Sequence, residues 1–202
     1  MKRFFILCFM AFVICSCCNT PTIQKQTITE YDGEMLFGEV FPTEKGSVHI
    51  YEYNTDCNLM LSQSIDYKGF LYMEETYSYQ KKELMSVHRW IQFDADSDKT
   101  EHLWYKENNR WYRNTNGEIT QLDDAENEGM NKPKKQNKFL PIKDDGTFTI
   151  IEDNYQCIGK VVEFDKFGNW TKAIGKETIK YDSIYLEDSE GYVVFVREII
   201  YH

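Results

Sequence analysis

The residues that could do chemistry in this chain are its histidines, cysteines, clustered acids and tryptophans, and the spacings that mark catalysis are missing among them. No Gly-x-Ser-x-Gly elbow, His-Glu-x-x-His pair, phosphate-cradling glycine loop or Cys-x-x-Cys occurs. Asp94, Asp96 and Asp98 alternate as at the start of a calcium loop. The sixth position, where such a loop needs glycine, is Lys99, and the twelfth, where it needs a bidentate glutamate, is Tyr105. The triplet is therefore expected to be a solvated hairpin tip. Of four histidines, His88 and His102 stand near enough to meet, but two imidazoles without a third ligand make no metal site. The expectation is a protein with no catalytic set, no metal and no cofactor.

A second constellation is aromatic. If a turn at 94–100 pairs Trp90 with Trp104, and Asn108-Asn109 pairs Trp104 with Arg113, the two-residue alternation of strands sorts the side chains. His88, Trp90, His102, Trp104, Lys106, Trp111 and Arg113 fall on one face. Met85, Val87, Ile91, Phe93, Leu103, Tyr105, Tyr112 and Ile119 fall on the other, as a core face. Three tryptophans among cations are expected either beneath a flat ligand, such as a glycan or peptide, or beneath a second packed layer. The ligand candidates are Trp90, Trp104, Trp111, His88 and Arg113.

These elements must be held somewhere, and the N-terminus says where. Lys2 and Arg3 precede an unbroken apolar run from Phe4 to Ile14, too short to span a bilayer, which needs about 20 residues. The run reads as a signal-peptide core. It ends in Ile14-Cys15-Ser16-Cys17, which resembles the lipobox of bacterial lipoproteins. The resemblance implies cleavage after residue 16 and acyl chains, palmitate among them, on Cys17. Acidic residues after the cysteine mark surface export in the Bacteroidetes-type lipoproteins this signal resembles. Here Asn19-Thr20-Pro21-Thr22 follows, so the resemblance implies an outer-membrane lipoprotein facing the periplasm. The expected organisation is a signal peptide at 1–16, a lipidated N-terminus and tether at 17–30, and one domain at 31–202.

Composition narrows the partners. Losing Lys2 and Arg3 from 23 bases leaves 21 against 33 acids, a formal charge of −12. That excludes nucleic acid, which rewards basic surfaces, and leaves membrane attachment to the acyl chains. Glycan, peptide or another envelope protein remain as partners of a binding or scaffolding module.

Aromatic content of 15% and scarce proline favour pleated surfaces. Twelve β-rich runs are expected, at 35–41, 47–53, 58–65, 70–79, 83–93, 101–106, 110–114, 118–122, 147–152, 156–164, 170–181 and 192–202. A polar stretch at 123–138, with only Ala125 and Met130 apolar, reads as a long solvated loop. Asp66, Asn114 and Asp165 each stand three residues before a glycine, the chemistry of a type I turn. The expected fold is an all-β antiparallel meander of about ten to twelve strands, forming a curved sheet, open barrel or sandwich.

Val161 to Trp170, with Asp165-Lys166-Phe167-Gly168 at its centre, resembles one unit of the tyrosine-aspartate (YD) repeat proteins, and 65–70 resembles a degenerate copy. The resemblance implies a hairpin and no activity. Asp182-Ser183-Ile184 resembles the O-glycosylation triplet of Bacteroidetes periplasmic proteins, with Ser183 as acceptor. In an oxidising compartment Cys57 and Cys157 could pair as a disulfide or stand as small apolar residues in strands.

Overall fold

The computed structural model describes residues 21–131, 139–180 and 188–202. Cys17, Cys18 and Ser183 lie outside the described residues. Twelve strands form one antiparallel sheet: β1 (Ile23–Leu36), β2 (Glu39–Tyr53), β3 (Leu59–Ile65), β4 (Leu71–Gln80), β5 (Glu83–Ile91), β6 (Thr100–Glu107), β7 (Arg110–Thr115), β8 (Glu118–Gln121), β9 (Thr147–Glu152), β10 (Tyr155–Phe164), β11 (Trp170–Ile179) and β12 (Ser189–Tyr201). The order across the sheet is β8-β7-β6-β5-β4-β3-β2-β1-β12-β11-β10-β9. This is a meander whose first and last strands pair in the middle, opened between β8 and β9. It is a curved sheet, not a closed barrel or a sandwich.

The turns explain the meander. Asp66 and Asp165 cap identical turns: each carboxylate Oδ1 accepts backbone N–H bonds from residues two and four further on, at 2.8–2.9 Å. Gly69 and Gly168 take positive φ at the exit. The hairpin implied by the YD resemblance is therefore present at both places. A third member stands at Asn54, whose Oδ1 accepts from Asp56 N and Asn58 N at 3.0 Å, with Cys57 at φ 61 in the glycine place. Asn108-Asn109 forms the expected two-residue turn with positive φ at both residues, the backbone twist hairpins prefer. The turn after Asn114 is tighter than expected: Asn116-Gly117 makes it, and Asn114 contributes its Oδ1 to Gly117 N at 2.8 Å.

Two expectations are corrected. Residues 23–30 are not tether but the first half of β1, which lies between β2 and β12. Their two isoleucines gave a weak strand signal, because the inward place between them is filled by Gln26, 1% exposed. The stretch at 123–138 is not all loop. Asp124–Asn131 is a helix, α1. Asp123 caps it: its Oδ1 accepts Glu126 N at 2.9 Å, and Glu126 Oε2 accepts Asp123 N at 3.2 Å. That reciprocal pair is a capping box.

Nearly all burial is on one side of the sheet. Ile28, Tyr51, Tyr77, Val87, Trp111, Phe148, Cys157 and Phe195 point inward. Strand register places them on one continuous face. Leu103, Ile119 and Ile158 point outward and are exposed. Among the described residues no second sheet covers this one. It curls around its own aromatic side chains, with α1 and residues 139–142 laid on the inner face: Met130 and Phe139 pack on one core cluster, and Leu140 belongs to the other.

Candidate binding site on the inner face

The tryptophan set is not assembled as expected. Trp104 does oppose Arg113, but its partner on β5 is Val87, and Trp90 opposes Glu101. The 92–99 loop folds on itself. Asp94 Oδ1 accepts Asp96 N at 3.0 Å and Ser97 N at 2.7 Å, and Gln92 Nε2 donates to Ser97 O at 3.1 Å. The pair therefore slips by an odd number of residues, and an odd slip exchanges the two faces of a strand.

Trp90 and His88 lie on the outer face, Trp90 beneath Lys99 Nζ at 4.4 Å and His88 near Glu101 at 3.8 Å. Trp104, Trp111 and Arg113 lie on the inner face with His102. Trp111 is fully buried under α1: its N donates to Asn127 Oδ1 at 2.8 Å and its Nε1 to Asn131 Oδ1 at 3.1 Å. It is packing, not platform. The expected core face is split: Val87 on β5 is buried as expected, while Leu103 on β6, Ile119 on β8 and Phe93 in the loop are exposed.

Cys57 and Cys157 are both free thiols. Cys57 sits in the β2–β3 turn, and Cys157 is fully buried beneath Phe148 in β10, four strands away in the sheet order. Among the described residues no three His, Cys, Asp or Glu side chains converge as metal ligands.

Among the described residues, two of the hollows on the inner face flank the 139–142 segment, one on each side. The larger is a cleft of about 740 Å³. Its floor is apolar: Phe139, Val193, Phe195 and Ile150, with Phe139 and Phe195 edge to face at 5.9 Å. Its rim is acidic: Glu30, Asp32, Glu152 and Glu177. Because β1 alternates, Gln26, Ile28, Glu30 and Asp32 all face inward, so the same phase that buries Ile28 delivers two carboxylates to the cleft.

Glu30 is held. Ser47 Oγ donates to its Oε2 at 2.5 Å, and His49 Nε2 lies 3.6 Å from its Oε1. His49 in turn meets Ser64 Oγ at 3.1 Å through Nδ1 and leans on the Phe139 ring at 4.9 Å. Burial pushes the Glu30 carboxyl up, but the His49 and Ser47 bonds and the imidazole charge outweigh it, and the net shift is downward. Glu177 moves the other way. Burial raises it, the Tyr155 hydroxyl bond only partly offsets this, and the charges of Asp32 and Glu30 raise it further. The rim thus contains one acid fixed as carboxylate and one that resists ionising, a pair that a bound cation would bring into line.

None of Glu30, His49, Phe139, Tyr155 or Glu177 was legible as a site residue in the sequence. The one signal was a polar residue in phase with a buried isoleucine on β1.

No protein-family model matches the sequence, and no curated protein matches it. Among solved structures, a porin-like protein from Bacteroides uniformis ATCC 8492 aligns over 90% of this chain and 98% of its own, with a TM-score of 0.30 and 10% identity. A likeness so remote supports no statement of function. Among the described residues no helix is long and apolar enough to cross a membrane.

Proposed function

We propose that this chain is a lipid-anchored protein of a bacterial envelope, on the periplasmic side of the outer membrane, that works by binding and not by catalysis. The inner-face cleft is its ligand site. The observation that carries the binding reading is the 740 Å³ hollow with an apolar floor and four carboxylates on its rim. Ligand sites are commonly of this size, mostly apolar, with a few placed polar groups. The ligand this lining favours is a peptide or other amphipath whose apolar part lies on Phe139 and Phe195 and whose cationic part meets Glu30, Asp32 and Glu177. The anchor reading rests on the lipobox around Cys17.

Two experiments test these parts separately. Cys17→Ser should abolish acyl labelling and leave uncleaved precursor; a variant that still labels overturns the anchor. Calorimetric titration of the mature protein with a Lys-Phe-Lys tripeptide should show saturable binding, with Glu-Phe-Glu inert. The double variant Glu30→Gln, Glu177→Gln should weaken the tripeptide at least about tenfold, the loss of roughly one charged hydrogen bond. Equal affinity for the two tripeptides overturns the cleft reading.

A further inference from the structure

The second hollow, on the other side of the 139–142 segment, has the opposite charge. It has a volume of about 280 Å³ and is lined by Trp170, Phe164, Phe139 and Leu140, with Gln26, Asn169 and Arg197 as its polar members. Arg197 is 9% exposed, on the central strand β12, in a chain whose net charge is strongly negative. A buried guanidinium is normally paired with a carboxylate, because desolvating a lone charge is costly. This one is not.

No described carboxylate lies within ion-pair reach of Arg197. Its Nε donates to Gln26 Oε1 at 2.8 Å, and its Nη1 reaches the Trp170 carbonyl at 3.4 Å; both partners are neutral. Gln26 is committed elsewhere through its Nε2, which donates to Tyr53 Oη at 2.6 Å. Asp165, the acid that acts on Arg197 through space, has its oxygens taken. Its Oδ1 accepts Phe167 N and Asn169 N, and its Oδ2 accepts Tyr201 Oη.

Arg197 Nη2 therefore donates to no described residue. Among the described residues the only fully buried side-chain polar atom without a partner is Tyr79 Oη, so Arg197 Nη2 keeps some exposure, and the hollow is the space Arg197 lines. The guanidinium is also fixed from one side, its Cζ 5.1 Å from the centre of the Trp170 ring. Burial, the largest influence on it, lowers its pKa, yet an arginine remains protonated at neutral pH.

We propose that this hollow is a binding site for a small organic acid, a carboxylate carried on an apolar or aromatic body. The planar Nη edge of Arg197 takes the carboxylate, and the Trp170, Phe164 and Phe139 rings take the body. A planar fork facing outward suits a carboxylate bidentately. The volume equals that of about nine waters, enough for a single ring with its acid group. The rings would have no part in holding a bare inorganic anion. The proposal concerns a different hollow from the acidic cleft and stands or falls independently of it.

The probe is 3-phenylpropionate, titrated calorimetrically into the mature full chain in lipid nanodiscs, beside its neutral amide and inorganic phosphate. The expected result is saturable binding of the acid at about millimolar concentration or below, with the amide and phosphate at least tenfold weaker. Binding of the amide as tight as the acid removes the role of Arg197, and binding of phosphate as tight as the acid removes the role of the rings; either overturns the proposal, as does absence of binding. Arg197→Lys, which keeps the charge but not the fork, should weaken the acid at least tenfold with its melting temperature near that of the parent. Should that variant fail to fold, the three probes on the parent protein decide alone.

Discussion

Glu30 and Glu177 give the acidic cleft a pH signature of two signs. Glu30 has its folded pKa below the ordinary glutamate value of 4.5, so the stability it contributes is complete above that value and is lost as pH falls through the lower folded value. Glu177 has its folded pKa above 4.5, so its contribution is complete below that value and is lost as pH rises through the raised folded value. Urea melts from pH 3 to 7 should show that Glu30→Gln flattens the acid limb and Glu177→Gln flattens the opposite one. Identical curves for both variants would contradict the opposed shifts. The tryptophans divide at the same scale. Trp111→Ala removes a fully buried ring and the donor to Asn131, and should cost about 3–5 kcal/mol. Trp90→Ala, on the outer face beside Lys99, should cost less than about 2 kcal/mol. Denaturant midpoints at constant m-value would separate them; equal losses would put Trp90 in a packed layer after all. The reason the sequence could not tell these residues apart is physical. Alternation within β5 and within β6 was visible, but the phase between them depends on how Asp94 and Gln92 fold the 92–99 loop, and an odd slip exchanges the faces of β6 relative to β5.

At the scale of elements, one turn recurs three times, and only two copies carry the glycine its exit requires. In the third, Cys57 holds φ 61, a left-handed conformation that costs an L-residue about 1–2 kcal/mol. Cys57→Gly should therefore stabilise the protein by about 0.5–1 kcal/mol, part of the relief being offset by the freedom glycine adds to the unfolded chain. Gly168→Ala, at φ +82, should destabilise it by about 1 kcal/mol. A Cys57→Gly variant less stable than the parent would mean that the thiol makes a contact worth more than its strain. The strands themselves were legible from 58 to 122 and from 147 to 202, because Asx-Gly turn chemistry and β-branched or aromatic runs agreed there. The first strand was not, because its inward Gln26 finds its partners in Tyr53 and in Arg197, 171 residues away, and no local pattern encodes such a bond. The helix was missed for the converse reason. Its local signal, Asp123 three residues before Glu126, was present in a stretch with almost no apolar residues, and what holds α1 on the sheet is Trp111 bonding Asn127 and Asn131.

For the whole molecule, the pairing of the chain's two ends fixes the order of stability. β1 lies between β2 and β12, and β12 between β1 and β11, so neither can open without breaking two ladders. The sheet's free edges are β8, four residues all exposed, and β9 at the other side. Both hollows are built on the central strands: Glu30 and Gln26 come from β1, and Phe195 and Arg197 from β12. The two hollows are thus carried by the part of the fold that closes the longest loop, which places them where two ladders must break before anything opens and makes the chain slow to form them, since non-local pairing pays its loop-closure entropy before any contact repays it. Native-state hydrogen exchange should show the β1 and β12 amides exchanging together, only through global unfolding, with the same denaturant dependence. The β8 amides should exchange far faster through local opening. Deleting residues 189–202 removes β12, exposes an edge on both β1 and β11, and takes Val193 and Phe195 out of the core, so the shortened chain should show no cooperative melt. A truncated protein that melts cooperatively, or β8 amides protected as strongly as those of β1, would show that the two halves of the sheet fold separately and that the paired ends only dock them together.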